Sequence, residues 1–241
     1  MLVFDLAMQA EYQEDDVILE LLNANCQEND ASFVSHKWLV DSLPKRMIYW
    51  RLYGDLLQQT AEPLQILDVG GGYCSLSRLL LQKHKYTLLD IMVHDDHTDV
   101  EALEKSLGED FWVNSDWYQF DARGYYDLVI ANDLFPNVDQ RLELFIEKFL
   151  PLCREIRLSL TYYNYPRFYH VKRLDADEIL CLLAWNGAQL KGVLEKYVDC
   201  LEWPNLELLL ENPPSLFANN RQVCMVNIQG DRKALHEQLS Y

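Results

Sequence analysis

The spacing of apolar and polar positions changes along the chain at about residue 60. Before that point the apolar residues recur at helical spacing. Residues 17–22 form an apolar face after three acidic residues, and a second apolar series over 38–57 is interrupted at Pro44. Acidic residues favour the start of a helix, and proline is tolerated only near a helix end. We therefore predict a helical region with two helices joined near Pro44 and a polar loop over 23–32, packed on a sheet edge or covering a ligand crevice.

Beyond residue 64, short apolar runs alternate with helix-length segments. The predicted strands are 64–69, 86–91, 111–113, 126–133, 155–160, 206–210 and 223–228, and the predicted helices are 75–85, 100–107, 140–150 and 175–185. Strands separated by helix-length segments form right-handed βαβ units. The predicted fold class is α/β, with a doubly wound, mostly parallel seven-stranded sheet and helices on both of its faces. The predicted domains are a helical N-terminal cap over 1–60 and a Rossmann-like domain over 61–241.

Charge and cysteine usage narrow the possible partners. The 241 residues carry a formal charge of −17, from 21 basic and 38 acidic residues. Such a chain repels phosphate-rich polymers, so we expect no nucleic-acid partner. No apolar run reaches the roughly 20 residues of a membrane-spanning helix. The six cysteines are scattered without a Cys-x-x-Cys pair and no secretory signal is visible, which indicates reduced thiols in a cytoplasmic protein. The sequence does not determine the oligomeric state.

Three consecutive glycines follow the first predicted strand of the sheet. Gly70, Gly71 and Gly72 lead directly into a predicted helix. Glycines permit tight backbone turns and let a ligand approach the main chain, and the helix offers its free N–H groups. Ligands of open parallel sheets bind beyond the carboxyl ends of the strands. The polar residues expected at those ends are Asp68, Asp90, Asp116 with Trp117, and Asn132 with Asp133.

The glycine spacing distinguishes between two nucleotide ligands. A dinucleotide site uses Gly-x-Gly-x-x-Gly, and no third glycine occurs at 73–75. Four acidic strand ends would also repel a diphosphate. Asp90 lies eighteen residues after Gly72, close to where an acid binds ribose hydroxyls. The pattern favours a nucleoside that carries a positive charge and no phosphate.

The order Asp68-Val69-Gly70-Gly71-Gly72, then Asp90, Asp116-Trp117 and Asn132-Asp133-Leu134, resembles the class I S-adenosylmethionine-dependent methyltransferases over about 62–160. The resemblance implies S-adenosylmethionine as cofactor. It implies that the glycine turn contacts the methionine part of the cofactor and that Asp90, with Ile91 beside it, binds the ribose. It also implies that Asp116 and the Trp117 backbone bind the adenine, and that the end of the fourth strand lies next to the methyl group. The implied cofactor-binding residues are Asp68, Gly70, Gly71, Gly72, Asp90, Ile91, Asp116, Trp117, Asn132, Asp133 and Leu134. One departure is Cys74, where the family often has glycine; a side chain there is expected to narrow the turn.

An aromatic segment at 161–170 follows the fifth predicted strand. Aromatic faces with one arginine suit a planar or sugar-like acceptor that carries a negative group, although the same side chains could simply pack over the sheet edge. The predicted acceptor-binding residues are Tyr162, Tyr163, Tyr165, Arg167 and Tyr169. The candidate proton acceptors are Asp133, His170 and His36.

The predicted function is methyl transfer to a small-molecule acceptor, a hydroxyl of a sugar-like, phosphorylated or phenolic metabolite. Two alternatives stay open: a protein or peptide methyltransferase, and an inactive binding or scaffold protein that kept the fold. The run at 94–99 contains histidines and aspartates that could bind a metal or cap the next helix. We interpret it as a cap and predict no metal.

Overall fold

A seven-stranded sheet runs through the middle of the fold, beside a separate two-stranded hairpin. The computed structural model describes residues 1–58, 62–172 and 179–230. The strands in chain order are β1 (Leu2–Val3), β2 (Gln65–Val69), β3 (Lys85–Leu89), β4 (Trp112–Val113), β5 (Tyr126–Phe135), β6 (Cys153–Tyr162), β7 (Arg167–Lys172), β8 (Ile179–Ala184) and β9 (Gln222–Gln229). β7 and β8 form the hairpin, and the other seven form the sheet.

The strand order of the sheet is β1-β9-β6-β5-β2-β3-β4. Strands β2 to β6 are parallel where they pair, whereas β9 is antiparallel to β6 and β1 is antiparallel to β9. The chain moves outward from β2 through β3 to β4 and then returns to place β5 on the other side of β2. The order therefore reverses between β2 and β5, which is where such sheets bind ligands. The predicted fold class is confirmed.

Helices cover both faces of the sheet. They are α1 (Leu6–Glu14), α2 (Val17–Asn25), α3 (Val34–Asp41), α4 (Leu43–Gln58), α5 (Ser75–Lys83), α6 (His97–Leu107), α7 (Leu142–Phe149) and α8 (Gly187–Leu194). Short 3-10 helices occur at Asp30–Ser32, Leu150–Leu152, Glu195–Cys200 and Leu206–Leu210. Among the described residues, no helix is both long enough and apolar enough to span a membrane.

Alternation along the strands divides the core into two layers. In β5, Leu128 and Ile130 face the layer that contains residues of α2, α4 and α5, while Val129 and Ala131 face the layer that contains α7 and α8. All four side chains are buried. Burying apolar surface on both faces of a parallel sheet is the main stabilising contribution, at roughly 25 cal/mol per Å².

The N-terminal region contributes helices and also one strand. The predicted join near Pro44 is confirmed, because α3 ends at Asp41 and α4 begins at Leu43. Proline is tolerated there because the first N–H groups of a helix have no partner within it. The prediction of an entirely helical segment is wrong at Leu2–Val3, which pairs with β9 at the sheet edge. Two residues are too few to produce a period that could be recognised in the sequence.

Two other predicted elements differ in the structure. The predicted strand at 206–210 is a 3-10 helix whose Leu206 and Leu209, three residues apart, are both buried, so β1 and not this segment is the seventh strand. The predicted helix at 175–185 is wrong over Ile179–Ala184, which pairs with β7 as β8. Its first positions, 175–178, lie outside the described residues. A continuous apolar run does not distinguish a helix from a strand, and here the pairing with β7 decides.

Candidate functional site

The glycine turn after β2 needs each of its three glycines. Gly70 and Gly72 have φ of 69° and 64°, a left-handed conformation that side chains resist. A β-carbon on Gly71 would lie 2.5 Å from Oδ1 of Asp68. The turn is thus packed directly over the Asp68 carboxyl group.

Asp68 lies buried beneath this turn. Its carboxyl group accepts hydrogen bonds from the hydroxyls of Tyr53 at 3.0 Å and Tyr86 at 2.8 Å. Burial raises the pKa of Asp68 from 3.8 to about 7, and the two tyrosine donors oppose part of this rise. Near neutral pH, Asp68 therefore exists in both its protonated and its ionised form.

Asp90 at the end of β3 is hydrogen-bonded to the glycine turn. Its Oδ2 accepts from the Gly72 N–H at 2.9 Å and its Oδ1 from the Met92 N–H at 2.8 Å. Burial raises the pKa of Asp90, and the backbone donors oppose the rise. Ile91, the next residue, is exposed. The structure thus brings the carboxylate assigned to ribose next to the glycines assigned to the methionine part of the cofactor.

The side chains of Asp116 and Trp117 have different surroundings. Asp116 accepts from the Tyr118 N–H at 2.8 Å and pairs with Arg141 at 2.9 Å. The Trp117 ring is buried, and its Nε1 donates to Asp139 at 2.7 Å. The Trp117 side chain is therefore a core residue. Arg141 was not singled out in the sequence.

The end of β5 meets the glycine turn across the point where the strand order reverses. The Leu134 side chain covers Gly70, where an added β-carbon would lie 3.2 Å from its Cδ2. Ser159 on β6 donates to Asn132 Oδ1 at 2.7 Å and accepts from the Asp133 N–H at 2.8 Å. These contacts hold the three residues assigned to the methyl side next to the turn.

The Asp133 carboxylate lies in a polar cluster at the same edge of the sheet. It accepts from Thr161 Oγ1 at 2.9 Å and pairs with Arg221 at 2.9 Å. The Arg221 guanidinium carbon lies 3.8 Å from the centre of the Phe217 ring. Sequence reasoning missed Arg221, which is 88 residues from its partner.

The corner between α3 and α4 reaches over this edge. A β-carbon on Gly72 would overlap the Ser35 hydroxyl of α3. The Trp38 ring contacts the ring of His94, which follows β3, with 6.0 Å between the two ring centres. The Lys45 ammonium lies 4.2 Å from the centre of the Trp38 ring. Burial lowers the pKa of Lys45, the charge of Asp133 opposes this, and the charge of Arg221 adds to it. The corner thus extends from the end of β3 to the cluster at the end of β5.

The aromatic segment at 161–170 divides into core and surface residues. Tyr162 is buried, and its hydroxyl has no hydrogen-bond partner among the described residues. The Arg167 guanidinium lies within 6 Å of the rings of Tyr163, Tyr165 and Tyr169. Tyr163 is buried and Tyr165 is exposed.

Tyr169 connects this segment to the polar cluster. Its hydroxyl donates to Asn137 at 3.4 Å, and Asn137 in turn donates to Asp133 at 3.2 Å. Burial raises the pKa of Tyr169 to about 12.

The two candidate histidines lie in different environments. His36 is buried, accepts from the Ser75 N–H at 3.5 Å and lies 3.8 Å from the Cys26 thiol. Burial lowers the pKa of His36. His170 is exposed and alternates with Tyr169 along β7, so it lies on the opposite face of the hairpin.

Cys74 occupies the start of α5. Its φ of −146° is an extended conformation that any residue adopts. The side chain is buried, with its thiol 3.9 Å from the Tyr49 hydroxyl and 3.8 Å from the Ser77 hydroxyl. The thiol therefore packs in the core. All six cysteines are free thiols.

The residues at 94–99 have structural partners. Asp95 accepts from the Val34 N–H at 2.8 Å, Asp96 caps α6 by accepting from the Thr98 N–H at 2.9 Å, and the His97 ring packs on Trp112. Within the described part of the chain, no group of three or more such side chains is arranged to hold a metal ion.

Two solved structures have similar folds at low sequence identity. One is Burkholderia thailandensis 1,6-didemethyltoxoflavin-N1-methyltransferase with bound 1,6-didemethyltoxoflavin and S-adenosylhomocysteine. It is 15% identical, with a TM-score of 0.50 over 95% of this chain and 93% of that one. The other is the N-terminal domain of EvdMO1 with bound S-adenosylhomocysteine, 13% identical with a TM-score of 0.50 over 87% of this chain and 84% of that one. No family model and no curated protein matches the sequence. The chain therefore has the fold of the class I S-adenosylmethionine-dependent methyltransferases.

Proposed function

We propose that this protein transfers the methyl group of S-adenosylmethionine to a small-molecule acceptor. One observation carries the proposal. The glycine turn of β2 lies at the point where the strand order reverses, and a hydrogen bond from the Gly72 N–H joins it to the Asp90 carboxylate at the end of the neighbouring strand β3. The turn has no side chains and so suits close approach by a ligand, and the Asp90 carboxylate beside it can accept hydrogen bonds from the two ribose hydroxyls of a nucleoside.

The residues present fit the cofactor. The three glycines give the turn no side chains of its own, which would let the methionine part approach its backbone closely. Asp90 would bind the ribose hydroxyls, and Asp116 would bind the adenine amino group while Arg141 holds its carboxylate in place. The cofactor, when bound, supplies a methyl group activated on a sulfonium.

The protein must then align the acceptor atom with the methyl group and exclude water. In-line transfer requires the acceptor lone pair at about 3 Å from the methyl carbon. The α3–α4 corner would cover the crevice, since Ser35 contacts Gly72 and Trp38 contacts His94. A crevice covered by this corner suits a small acceptor, which would be enclosed during methyl transfer.

We propose a hydroxyl as the acceptor atom, with Asp133 as the proton acceptor. A hydroxyl must lose its proton as the new bond forms, and Asp133 is the candidate that lies beside the predicted methyl position. Thr161 and Arg221 hold its carboxylate in place. His36 is hydrogen-bonded at the start of α5 and His170 is exposed on the β7–β8 hairpin, so both fit this role less well.

Calorimetric titration with S-adenosylhomocysteine tests the cofactor site. We expect the unmodified protein to bind, and Asp90→Asn to bind at least tenfold more weakly, because charge-assisted hydrogen bonds to a ligand are worth about 1.5–3 kcal/mol. The control is Asp121→Asn, whose exposed carboxylate pairs with Arg123 on the surface, and it is expected to bind normally.

A folded unmodified protein that binds no S-adenosylhomocysteine at millimolar concentration would contradict the proposal and favour a scaffold protein. Thermal unfolding of each variant shows whether the fold survives the substitution. Unchanged affinity in Asp90→Asn would refute the ribose assignment alone.

A further inference from the structure

Basic side chains collect at one edge of an otherwise acidic protein. The chain carries a formal charge of −17, yet Lys45, Arg167 and Arg221 all lie around the polar cluster at the ends of β5 and β6. Arg221 pairs with Asp133, and Lys45 is near enough to both for their charges to act on it. They come from α4, β7 and the segment before β9, so only the fold brings them together.

Lys45 is a half-buried cation that lies near Asp133 without pairing directly with it. Its ammonium lies against the Trp38 ring at 4.2 Å, and no carboxylate of residues 1–58, 62–172 and 179–230 forms an ion pair with it. Burial lowers the pKa of Lys45, the charge of Asp133 opposes this, and the weaker effect of the Arg221 charge adds to the lowering. Removing a cation from water beside another cation costs free energy that a bound anion would offset.

Arg221 also has unused hydrogen-bonding capacity. One face of its guanidinium lies on Phe217 and one nitrogen pairs with Asp133. Its Nε is buried without a hydrogen-bond partner in the part of the chain that the structure describes, and so is Nε of Arg167. A buried N–H without a partner is costly, and an oxyanion is the strongest partner for a guanidinium.

We propose that Lys45 and Arg221 form an oxyanion subsite that selects methyl acceptors carrying a carboxylate or a phosphate. This inference rests on the proposed function and specifies its substrate class. Lys45, Arg221 and Asp133 together leave one positive charge, which one carboxylate neutralises. The Trp38 ring lies 4.2 Å from the Lys45 ammonium and the Tyr169 ring 5.9 Å from the Arg167 guanidinium, and such rings suit a planar acceptor body.

The test uses three probes that share a single phenyl ring: benzoate, phenyl phosphate and the neutral benzyl alcohol. Each is titrated by ligand-observed nuclear magnetic resonance into protein with and without saturating S-adenosylhomocysteine. We expect benzoate or phenyl phosphate to bind at least tenfold more tightly than benzyl alcohol. Preference for one anion over the other identifies the acidic group that the subsite favours.

Matched variants assign the binding to the subsite. Lys45→Met is expected to weaken the anionic probes about tenfold and leave benzyl alcohol unchanged, since one charge-assisted contact is lost. The control is Lys37→Met on α3, which removes an exposed ammonium that donates to the Ser32 carbonyl. It is expected to bind all three probes normally.

Several results would overturn the inference. Equal binding of benzoate and benzyl alcohol would remove the oxyanion preference, and an unchanged benzoate affinity in Lys45→Met would remove Lys45 from the site. A loss of S-adenosylhomocysteine affinity in Lys45→Met would mean that Lys45 binds the cofactor's own carboxylate. Failure of the unmodified protein to bind S-adenosylhomocysteine contradicts the proposed function instead, and the probe titrations without it still test the subsite.

Discussion

The buried carboxyl group of Asp68 makes a sharp prediction about how stability depends on pH. Its pKa rises from 3.8 to about 7 on folding because it is buried. Between these values the folded protein holds a proton that the unfolded chain has lost. Stability therefore falls as pH rises, by about 1.4 kcal/mol per pH unit, until Asp68 ionises in the folded state near pH 7. Between pH 5 and pH 7 the loss amounts to about 2–3 kcal/mol.

The substitution Asp68→Asn removes this dependence while keeping the shape of the side chain. The assay is urea unfolding of both proteins at pH 5, 6, 7 and 8. Titrating groups far from Asp68 behave alike in both proteins, so their effects cancel in the difference, whereas the nearby Asp90 is coupled to it. We expect the stability of the unmodified protein relative to the variant to decrease steadily from pH 5 to 7 and then level off. A difference that stays constant across this range would refute the reasoning.

Three further predictions concern the turn and a buried ion pair. Gly72→Ala forces a side chain into a left-handed turn against the Ser35 hydroxyl of α3, and is expected to destabilise the protein by about 1–3 kcal/mol in urea unfolding. The control is Gly192→Ala on α8, where the added methyl group meets no other atom and is expected to stabilise the protein slightly. Cys74→Gly places a glycine at the position common in the family but leaves a void in the core. It is expected to lower the melting temperature without tightening cofactor binding, and tighter binding would contradict the core position of the thiol. Arg78 forms a buried ion pair with Asp30 at 2.7 Å. Arg78→Met leaves the Asp30 carboxylate without this cation and is expected to cost about 3–5 kcal/mol, against no measurable change for the exposed Arg123→Met; equal unfolding curves would be the contrary result.

The parts of the site that follow the first strands could be predicted because their signals are local. An apolar run, an acid and three glycines within a few residues specify β2, the turn and the start of α5. Asp90 ends the next apolar run and therefore lies at the same edge of the parallel sheet. In the structure the two lie together, because the Gly72 N–H donates a hydrogen bond to the Asp90 carboxylate.

Elements that depend on distant pairing could not be predicted. Leu2–Val3 is a strand only because β9, more than 200 residues later, offers an edge. Ile179–Ala184 is a strand because β7 pairs with it, although its apolar run also suits a buried helix. In both cases the partner determines the conformation, and the local sequence carries too little information.

The acceptor side shows the same limit. Asp133 was predicted from its place at a strand end, but its ion-pair partner Arg221 lies in a polar connection without a recognisable pattern. In the sequence, Lys45 simply stands beside Arg46 near the start of a helix, which does not mark it as part of a site. The fold places them together, so their common role follows from structure and not from spacing.

A crystal structure of the protein with S-adenosylhomocysteine tests the central claim most directly. We predict that the ligand lies at the carboxyl ends of β2 and β5, with both ribose hydroxyls within hydrogen-bonding distance of the Asp90 carboxylate. Its methionine part is predicted to lie along the backbone of Gly70, Gly71 and Gly72. A ligand bound elsewhere, or absent from crystals soaked at millimolar concentration, would contradict the account.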